Sequence, residues 1–180
     1  MQERGFTLIE VLSALALLCV ASLGVGRLIA AATEGMAAAR AQTIAVSLAA
    51  ARLEQLRALP YSFDADGLRV TDTTANLSTE PVSRGGSGLV GAGGDSLAAN
   101  TAGFVDYLDA HGRWVGTGPA PAQGAVFVRR WSIDAVASWP DVLVVQVVVR
   151  RVAEDAAAAD PRRRTRTEAR LVSMLVRVAR

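Results

Sequence analysis

The first 27 residues contain the feature that most constrains the fold. Residues 6–26 form an apolar run interrupted only by Thr7, Glu10, Ser13 and Ser22. As a helix, this run would be ~30 Å long, enough to cross the hydrocarbon core of a bilayer. A secretory signal peptide would have a shorter apolar core, followed by a cleavage site of small residues. The run therefore predicts a membrane helix.

Glu10 is the unusual residue of this run. An ionised carboxylate inside a membrane helix costs on the order of 3 kcal/mol, so such a residue usually has a function and a partner. The simpler alternative is that Glu10 lies near enough to the membrane surface to reach water. The residues around Glu10 favour the functional interpretation.

The segment from Arg4 to Leu12 reads RGFTLIEVL. It resembles the class III signal of type IV prepilins and type II secretion pseudopilins. The shared features are a charged leader that ends in Gly5, an aromatic residue at Phe6, the sequence Thr-Leu-Ile, and Glu10 at the fifth position after the leader. The resemblance is specific because all of these features occur at the expected spacing.

This resemblance implies a processing and assembly pathway. Prepilin peptidase, a membrane aspartic protease, is expected to cut between Gly5 and Phe6 on the cytoplasmic side and to methylate the new amine of Phe6. Glu10 is expected to pair with that amine on a neighbouring subunit, because a buried carboxylate and a buried ammonium offset each other's desolvation. The implied partners are the peptidase, other minor and major pilin subunits, and the inner membrane.

The helical pattern continues beyond the apolar run. Residues 28–59 contain no proline and are rich in strong helix formers. An apolar stripe is predicted at Ile44, Leu48, Ala51, Leu56 and Leu59, broadened by Val46 and Leu53. The polar side chains predicted to lie mostly off this stripe are Arg40, Gln42, Arg52, Glu54 and Arg57. Pro60 ends the pattern, so one helix is predicted from Phe6 to Leu59.

The rest of the chain predicts a loop followed by a sheet. Residues 61–103 are rich in Gly and Ser, and no lysine follows the glycines as a phosphate-binding loop would require. Beyond them, alternating or β-branched runs predict strands at residues 104–108, 113–115, 126–134, 141–152 and 164–178, with a turn at 109–112. The predicted fold class is α+β and pilin-like, with a long N-terminal helix packed on an antiparallel meander.

The predicted organisation has five segments. They are a cleaved leader at 1–5, a transmembrane and assembly half of the helix at 6–27, an amphipathic half at 28–60, an αβ-loop at 61–103 and a β-sheet head at 104–180.

The sequence shows no set of residues for catalysis. The only histidine, His111, lies in the predicted turn, and the only cysteine, Cys19, lies in the apolar run. Asp64, Asp66 and Gly67 hint at a calcium loop, but its other ligand positions are missing. Asp106 and Asp109 are similarly weak candidates. We therefore predict no enzymatic activity, no cofactor, no metal and no small-molecule substrate.

The charge pattern does not predict nucleic-acid binding. All 19 basic residues are arginines, and the formal net charge is only +2. The arginines are scattered or accompanied by acidic residues, apart from one cluster at 162–166. A short basic run of this kind is usually a solvated segment.

Two further segments resemble particular subfamilies. The sequence LEQLR at 53–57, ahead of Tyr61, resembles the helix end of PilV-type minor pilins and of GspI-type pseudopilins. The Arg129-Arg130-Trp131 strand resembles PilV-like proteins, and the chain length also favours PilV. The predicted function is a minor type IV pilin that primes, or is incorporated into, a pilus. Its localisation would be the inner membrane, with a cytoplasmic leader and a periplasmic head, and then the pilus.

Two alternatives remain open. A GspI-like minor pseudopilin of type II secretion shares the same N-terminal signal. A single-pass, membrane-anchored periplasmic binding domain that is never cleaved would share only the apolar helix.

Overall fold

The computed structural model describes residues 7–155 and 168–176. Helix α1 runs from Leu8 to Arg57. It ends before Pro60, as expected, although two residues earlier than predicted. The chain divides into two compact units, Met1–Arg40 and Ala41–Arg180.

The second unit contains the last turns of α1 and all of the strands. The strands and the short second helix are β1 (Tyr61–Phe63), β2 (Arg69–Thr71), β3 (Ala75–Asn76), β4 (Ser83–Arg84), β5 (Val105–Leu108), β6 (Trp114–Gly116), β7 (Phe127–Val136), β8 (Trp139–Arg151), α2 (Val152–Asp155) and β9 (Glu168–Val176). Every predicted strand of the head is present within the described residues. Residues 164–167 and 177–178 of the last predicted strand lie outside them.

The main sheet is antiparallel, with strand order β6-β5-β7-β8-β9. A long N-terminal helix with an antiparallel sheet confirms the predicted α+β class. The predicted meander order is wrong at one place. β6 pairs with one side of β5 and is the edge strand, and the chain then returns to form β7 on the other side of β5. The return is tied to β5 by two hydrogen bonds, from Thr117 Oγ1 to Val105 O (2.6 Å) and from Tyr107 Oη to Gly118 O (3.1 Å).

The segment predicted as a loop contains two small hairpins, β1–β2 and β3–β4. Side chains attach it to the main sheet: Ser96 Oγ donates to Trp131 O (2.7 Å) and Trp114 Nε1 donates to Ser78 O (3.0 Å). Gly91 also passes close to β7, where a Cβ would lie 2.5 Å from Ile133 O. At this position the backbone approach itself explains the glycine.

The core of the second unit lies between α1 and one face of the sheet. The helix contributes Ala45, Ala49, Leu53 and Leu56, and the strands contribute mainly Phe127, Trp131, Ile133, Leu143, Val145, Val147 and Val149. Alanines at the contact allow the helix to approach the large strand side chains closely. Of the predicted stripe, Leu53 and Leu56 are buried, whereas Ala51 and Val46 are exposed. Ile44, Leu48 and Leu59 are partly buried and pack against the core, as predicted. The buried face is therefore rotated from the predicted one.

The position of Arg52 on α1 differs most from the sequence prediction. It was predicted on the polar face, but its side chain is fully buried. The positions Ala45, Ala49, Arg52 and Leu56 follow helical spacing, so Arg52 lies in the middle of the buried face. Burial of its guanidinium is possible because charged and polar groups form hydrogen bonds with it there.

Arg52, Asp106 and Arg129 form a buried cluster, here called the arginine–aspartate cluster. Asp106 Oδ2 accepts hydrogen bonds from Arg52 Nη2 (2.5 Å) and Arg129 Nη2 (2.7 Å), and Asp106 Oδ1 accepts one from Arg129 Nε (3.0 Å). Arg52 Nη1 also donates to Leu77 O, and Arg129 Nη1 donates to Leu48 O at 3.2 Å. The Arg52 guanidinium lies 4.6 Å from the Trp131 ring centroid. The cluster thus joins α1, β5, β7 and the β3 segment.

The cluster predicts a graded loss of stability. Asp106→Ala would leave two buried guanidinium groups without their shared carboxylate, which we expect to cost about 3–5 kcal/mol. Arg52→Met keeps most of the volume and leaves Asp106 bound to Arg129, so we expect a smaller loss of about 1–2 kcal/mol. The measurement is urea unfolding of the full chain in detergent micelles, followed by tryptophan fluorescence.

Arg57→Met is the matched control on the same helix. Arg57 is half exposed, and its ion-pair partner within residues 7–155 and 168–176 is Glu54 (2.9 Å), so its loss should change the unfolding free energy by less than about 0.5 kcal/mol. Equal effects of Arg52→Met and Arg57→Met would show that burial of Arg52 contributes nothing to stability.

Candidate functional site

The N-terminal part of α1 is apolar and uncovered. Every residue from Thr7 to Ala37 is exposed, and thirteen large apolar side chains between Leu8 and Met36 are among them. By length and composition this helix could cross a membrane. At roughly 1.5 kcal/mol or more for each buried side chain, covering these residues would contribute on the order of 20 kcal/mol. Such a surface requires lipid or other apolar helices around it.

The first turn of this helix is closed by Thr7 and Glu10. Glu10 Oε2 accepts hydrogen bonds from Thr7 N (3.1 Å) and Thr7 Oγ1 (3.0 Å), while Thr7 Oγ1 accepts from Glu10 N at 3.4 Å. This reciprocal arrangement is a capping box, in which two residues satisfy the free N–H groups at a helix start. It offsets part of the cost of placing a carboxylate in an apolar segment.

The sequence analysis did not assign this role to Thr7, although the signal was present. Thr7 and Glu10 stand in the Thr-x-x-Glu pattern just before an apolar run, which is the signature of a capping box. The cost of the Glu10 carboxylate in an apolar helix instead predicted a partner on another subunit. The two roles are compatible, because only Oε2 is used by Thr7 and no hydrogen bond to Oε1 is found among the described residues.

The other predicted site residues lie outside the described residues. Gly5 and Phe6, the predicted cleavage and methylation positions, both belong to this group. Phe6 directly precedes Thr7 in the sequence, so the predicted new amine would be one residue away from the capping box. These two assignments stay predictions.

The weaker candidates have structural roles. Asp64 Oδ1 accepts the N–H groups of Asp66 (3.0 Å) and Leu68 (2.8 Å) and so shapes the turn between β1 and β2. Asp106 is the centre of the arginine–aspartate cluster. No group of three or more His, Cys, Asp or Glu side chains suited to a metal occurs among the described residues.

His111 lies exposed in the turn between β5 and β6. Asp109 Oδ1 accepts the N–H groups of Arg113 (2.9 Å) and His111 (2.8 Å) there. These bonds, with that of Arg113 the most important, hold the pKa of Asp109 below its ordinary value. Gly112 completes the turn with φ of 78°, a conformation that glycine adopts without strain.

A cleft of about 680 Å³ lies between the β1–β2 hairpin, residues 89–94 and the end of β7. Its charged lining residues are Arg69 and Asp134, its hydroxyl-bearing ones are Tyr61 and Thr71, and the remaining lining is apolar side chains and glycine backbone.

The comparisons with known proteins agree with the N-terminal geometry. The family profile described as the prokaryotic N-terminal methylation motif matches residues 1–26. This match supports a type IV pilin-like prepilin signal, and therefore a pilin or pseudopilin substrate of prepilin peptidase. It covers the predicted leader and the first part of α1, and it does not distinguish a pilin from a pseudopilin. No significant match was found among curated proteins or among solved structures.

The capping box makes a prediction about Thr7. Thr7→Val keeps the shape of the side chain but removes its hydroxyl, whereas Thr7→Ser keeps the hydroxyl. Loss of an N-terminal cap costs about 1 kcal/mol. Amide exchange in the first turn, at Glu10 and Val11, should then be about fivefold faster in the valine variant than in the unaltered chain.

The measurement is NMR hydrogen exchange of the full chain in detergent micelles. Thr7→Ser should exchange at the rate of the unaltered chain. Equally fast exchange in the serine and valine variants would mean that the Thr7 hydroxyl does not stabilise the helix start.

Proposed function

We propose that this chain is a minor type IV pilin of the PilV type. Prepilin peptidase cuts it between Gly5 and Phe6 and methylates the Phe6 amine. The mature subunit then enters, or primes, a pilus through α1. The observation that carries the proposal is a carboxylate, Glu10, in the first turn of a helix that is apolar and exposed as far as Ala37, in a chain whose residues 1–26 match the methylation motif.

The physical argument for assembly starts from the exposed helix. Before assembly, lipid covers the apolar side chains, and after assembly the same surface packs on the apolar helices of neighbouring subunits. Lipid is as apolar as leucine, so apolar contact alone gives little preference between the two states. A specific polar contact is therefore needed to set the position of one helix against the next.

Glu10 supplies this polar contact. Its Oε2 is held by Thr7 within its own chain, and its Oε1 accepts the methylated amine of a neighbouring subunit. Each charge alone in an apolar environment costs several kcal/mol, and the pair offsets both costs. Because the two groups lie four residues apart in the mature sequence, their pairing fixes the axial offset between neighbouring helices.

The second unit forms the head of the subunit. Its sheet and the last turns of α1 are held together by apolar packing and by the arginine–aspartate cluster, with no disulfide, since the chain has one cysteine. Before assembly the proposed location is the inner membrane, with a single span, the leader in the cytoplasm and the head in the periplasm. The role is structural and non-enzymatic, and other minor and major pilins are the proposed partners.

A GspI-like minor pseudopilin of type II secretion is the second candidate. The segment LEQLR at 53–57 favours it as much as it favours PilV. In the structure this segment buries Leu53 and Leu56 and ends α1 at Arg57, a packing role that suits both families. The PilV assignment is supported by chain length and by the Arg129-Arg130-Trp131 strand.

Glu10 variants test the assembly role and separate it from capping. Glu10→Gln keeps a side chain that can close the capping box but removes the charge. Glu10→Ala removes both. We expect both variants to stay in the membrane and to fall at least tenfold in the sheared filament fraction, because the ion pair is lost.

Glu10→Asp is the matched control, because it keeps the charge on a shorter side chain and should retain part of the assembly. The amounts are measured by immunoblot of sheared filaments and membranes from the same cells. Normal incorporation of Glu10→Gln would show that the carboxylate charge has no part in assembly. Absence of the unaltered chain and of all three variants from the filament fraction, with all of them in the membrane, would favour the uncleaved membrane-anchored domain.

A further inference from the structure

The outer face of the main sheet, which points away from α1, is covered in one half and open in the other. In the open half, near the turn between β7 and β8, Met174 and Val176 are 69% and 61% exposed. In the other half, four outer-face residues are at most 2% exposed, namely Val105, Tyr107, Val128 and Val148. Other parts of the chain must therefore cover this half.

Helix α2 supplies part of this cover. The chain turns at Val152, directly after β8, and the N–H of Val152 donates to Val126 O (2.9 Å). The Val152 side chain packs against three buried residues, here called the outer cluster, namely Val105, Tyr107 and Val128. A helix of four residues is not stable by itself. Contacts with the sheet must therefore hold α2 in place.

Arg130 on the outer face of β7 makes the main polar contacts with α2. Its Nη1 and Nη2 donate to the two carboxylate oxygens of Asp155, at 2.7 and 2.6 Å. Its Nε and Nη2 also donate to Asn100 Oδ1, at 2.9 and 2.6 Å. Asn100 Nδ2 in turn donates to Pro119 O (2.8 Å). One arginine thus fastens α2 and, through Asn100, the return between β6 and β7.

The charge of Arg130 is offset by Asp155. The Arg130 side chain is buried, and Asp155 is the acidic side chain that pairs with it within the described residues. Arg150 on β8 lies 3.7 Å from Asp155, but its Nε donates to Glu168 on β9 at 2.9 Å. Burial raises the pKa of Asp155, but the hydrogen bonds and charge of Arg130, together with Arg150, outweigh this effect and hold the pKa below its ordinary value. Asp155 is therefore ionised at neutral pH.

Loss of the Asp155 charge would change the balance between a closed and an open position of α2. In the closed position Arg130 would be a buried cation without a carboxylate, which is strongly unfavourable. With α2 displaced, water could solvate the guanidinium. Strand β7 is paired with β5 on one side of Arg130 and with β8 on the other, so the sheet need not separate when α2 moves.

We propose that α2 is a strap, locked over the outer face by the ion pair of Arg130 and Asp155, which opens as a unit while the five-stranded sheet stays paired. Short peripheral elements commonly open at a lower free energy than the whole domain. In the open state the outer cluster becomes accessible and extends the exposed apolar surface of this face. This inference uses only the Ala41–Arg180 unit and does not depend on the proposed cleavage or filament role.

The test compares variants of the full chain in detergent micelles at neutral pH. Hydroxyl-radical labelling with mass spectrometry measures the accessibility of Tyr107, and the partly buried Tyr61, the other tyrosine of the chain, is the internal reference. NMR hydrogen exchange measures the opening of α2 at the Val152 amide. The Trp131 amide, which donates to Phe104 O at 3.1 Å, reports whether β5 and β7 stay together.

Asp155→Asn keeps the shape of the side chain and removes its charge. We expect the labelling of Tyr107 and the exchange of the Val152 amide to rise at least fivefold, because the strap opens. Exchange at Trp131 should not change. Asp134→Asn is the matched control, because Asp134 lies on the same face of β7 in the open half, and it should change none of the three rates.

A double variant separates the effect of the buried charge from that of the hydrogen bonds. Arg130→Gln combined with Asp155→Asn removes both charges but leaves amide groups that can donate and accept. No unpaired cation then opposes closure. We therefore expect the labelling of Tyr107 to return to within about twofold of the unaltered chain.

Three results would overturn the proposal. Unchanged labelling of Tyr107 in Asp155→Asn would show that the ion pair does not lock α2. An equal rise in exchange at Trp131 would show that α2 opens only when the sheet unfolds. Equal labelling in the single and double variants would show that the uncompensated charge of Arg130 does not cause the opening.

Discussion

The main physical constraint on this protein is the exposed apolar surface of the N-terminal part of α1. Every residue from Thr7 to Ala37 is exposed, and neither propensity nor capping can offset the cost of placing thirteen large apolar side chains in water. The segment must exist in lipid or against other apolar helices. A protein that moves between these two states needs a polar contact that differs between them, and Glu10 is the acidic residue of this segment that lies nearest the N-terminus.

We propose that Glu10 is satisfied in two different ways in the two states. In the single chain it closes the first turn of α1 through Thr7, which stabilises the helix start and reduces the cost of the carboxylate in the membrane. In the proposed assembled state its second oxygen receives the amine of a neighbouring subunit. The capping box therefore positions the carboxylate for its partner while avoiding an unsatisfied charge before the partner arrives.

The sequence correctly predicted structural features that depend on residues close together in the chain. The apolar run, Pro60, the Asp109–Gly112 turn and the β-branched strand β8 were all predicted from nearby residues, and the structure confirms them. Features that depend on distant residues were missed. Arg52 was assigned to the polar face because its partners, Asp106 and Arg129, are more than fifty residues away in the chain. One local signal existed, since Arg129 alternates with Phe127, Trp131 and Ile133 on the buried face of β7. The position of β6 outside β5 likewise has no local signal.

The mass of the N-terminal peptide shows whether prepilin peptidase cuts and methylates this chain. The protein would be purified from native membranes of strains with and without prepilin peptidase, and its N-terminal peptide analysed by mass spectrometry. The account predicts a peptide that begins at N-methylated Phe6 and occurs only when the peptidase is present. An intact Met1 terminus in both strains would contradict it, and α1 would then be the anchor of an unprocessed membrane protein.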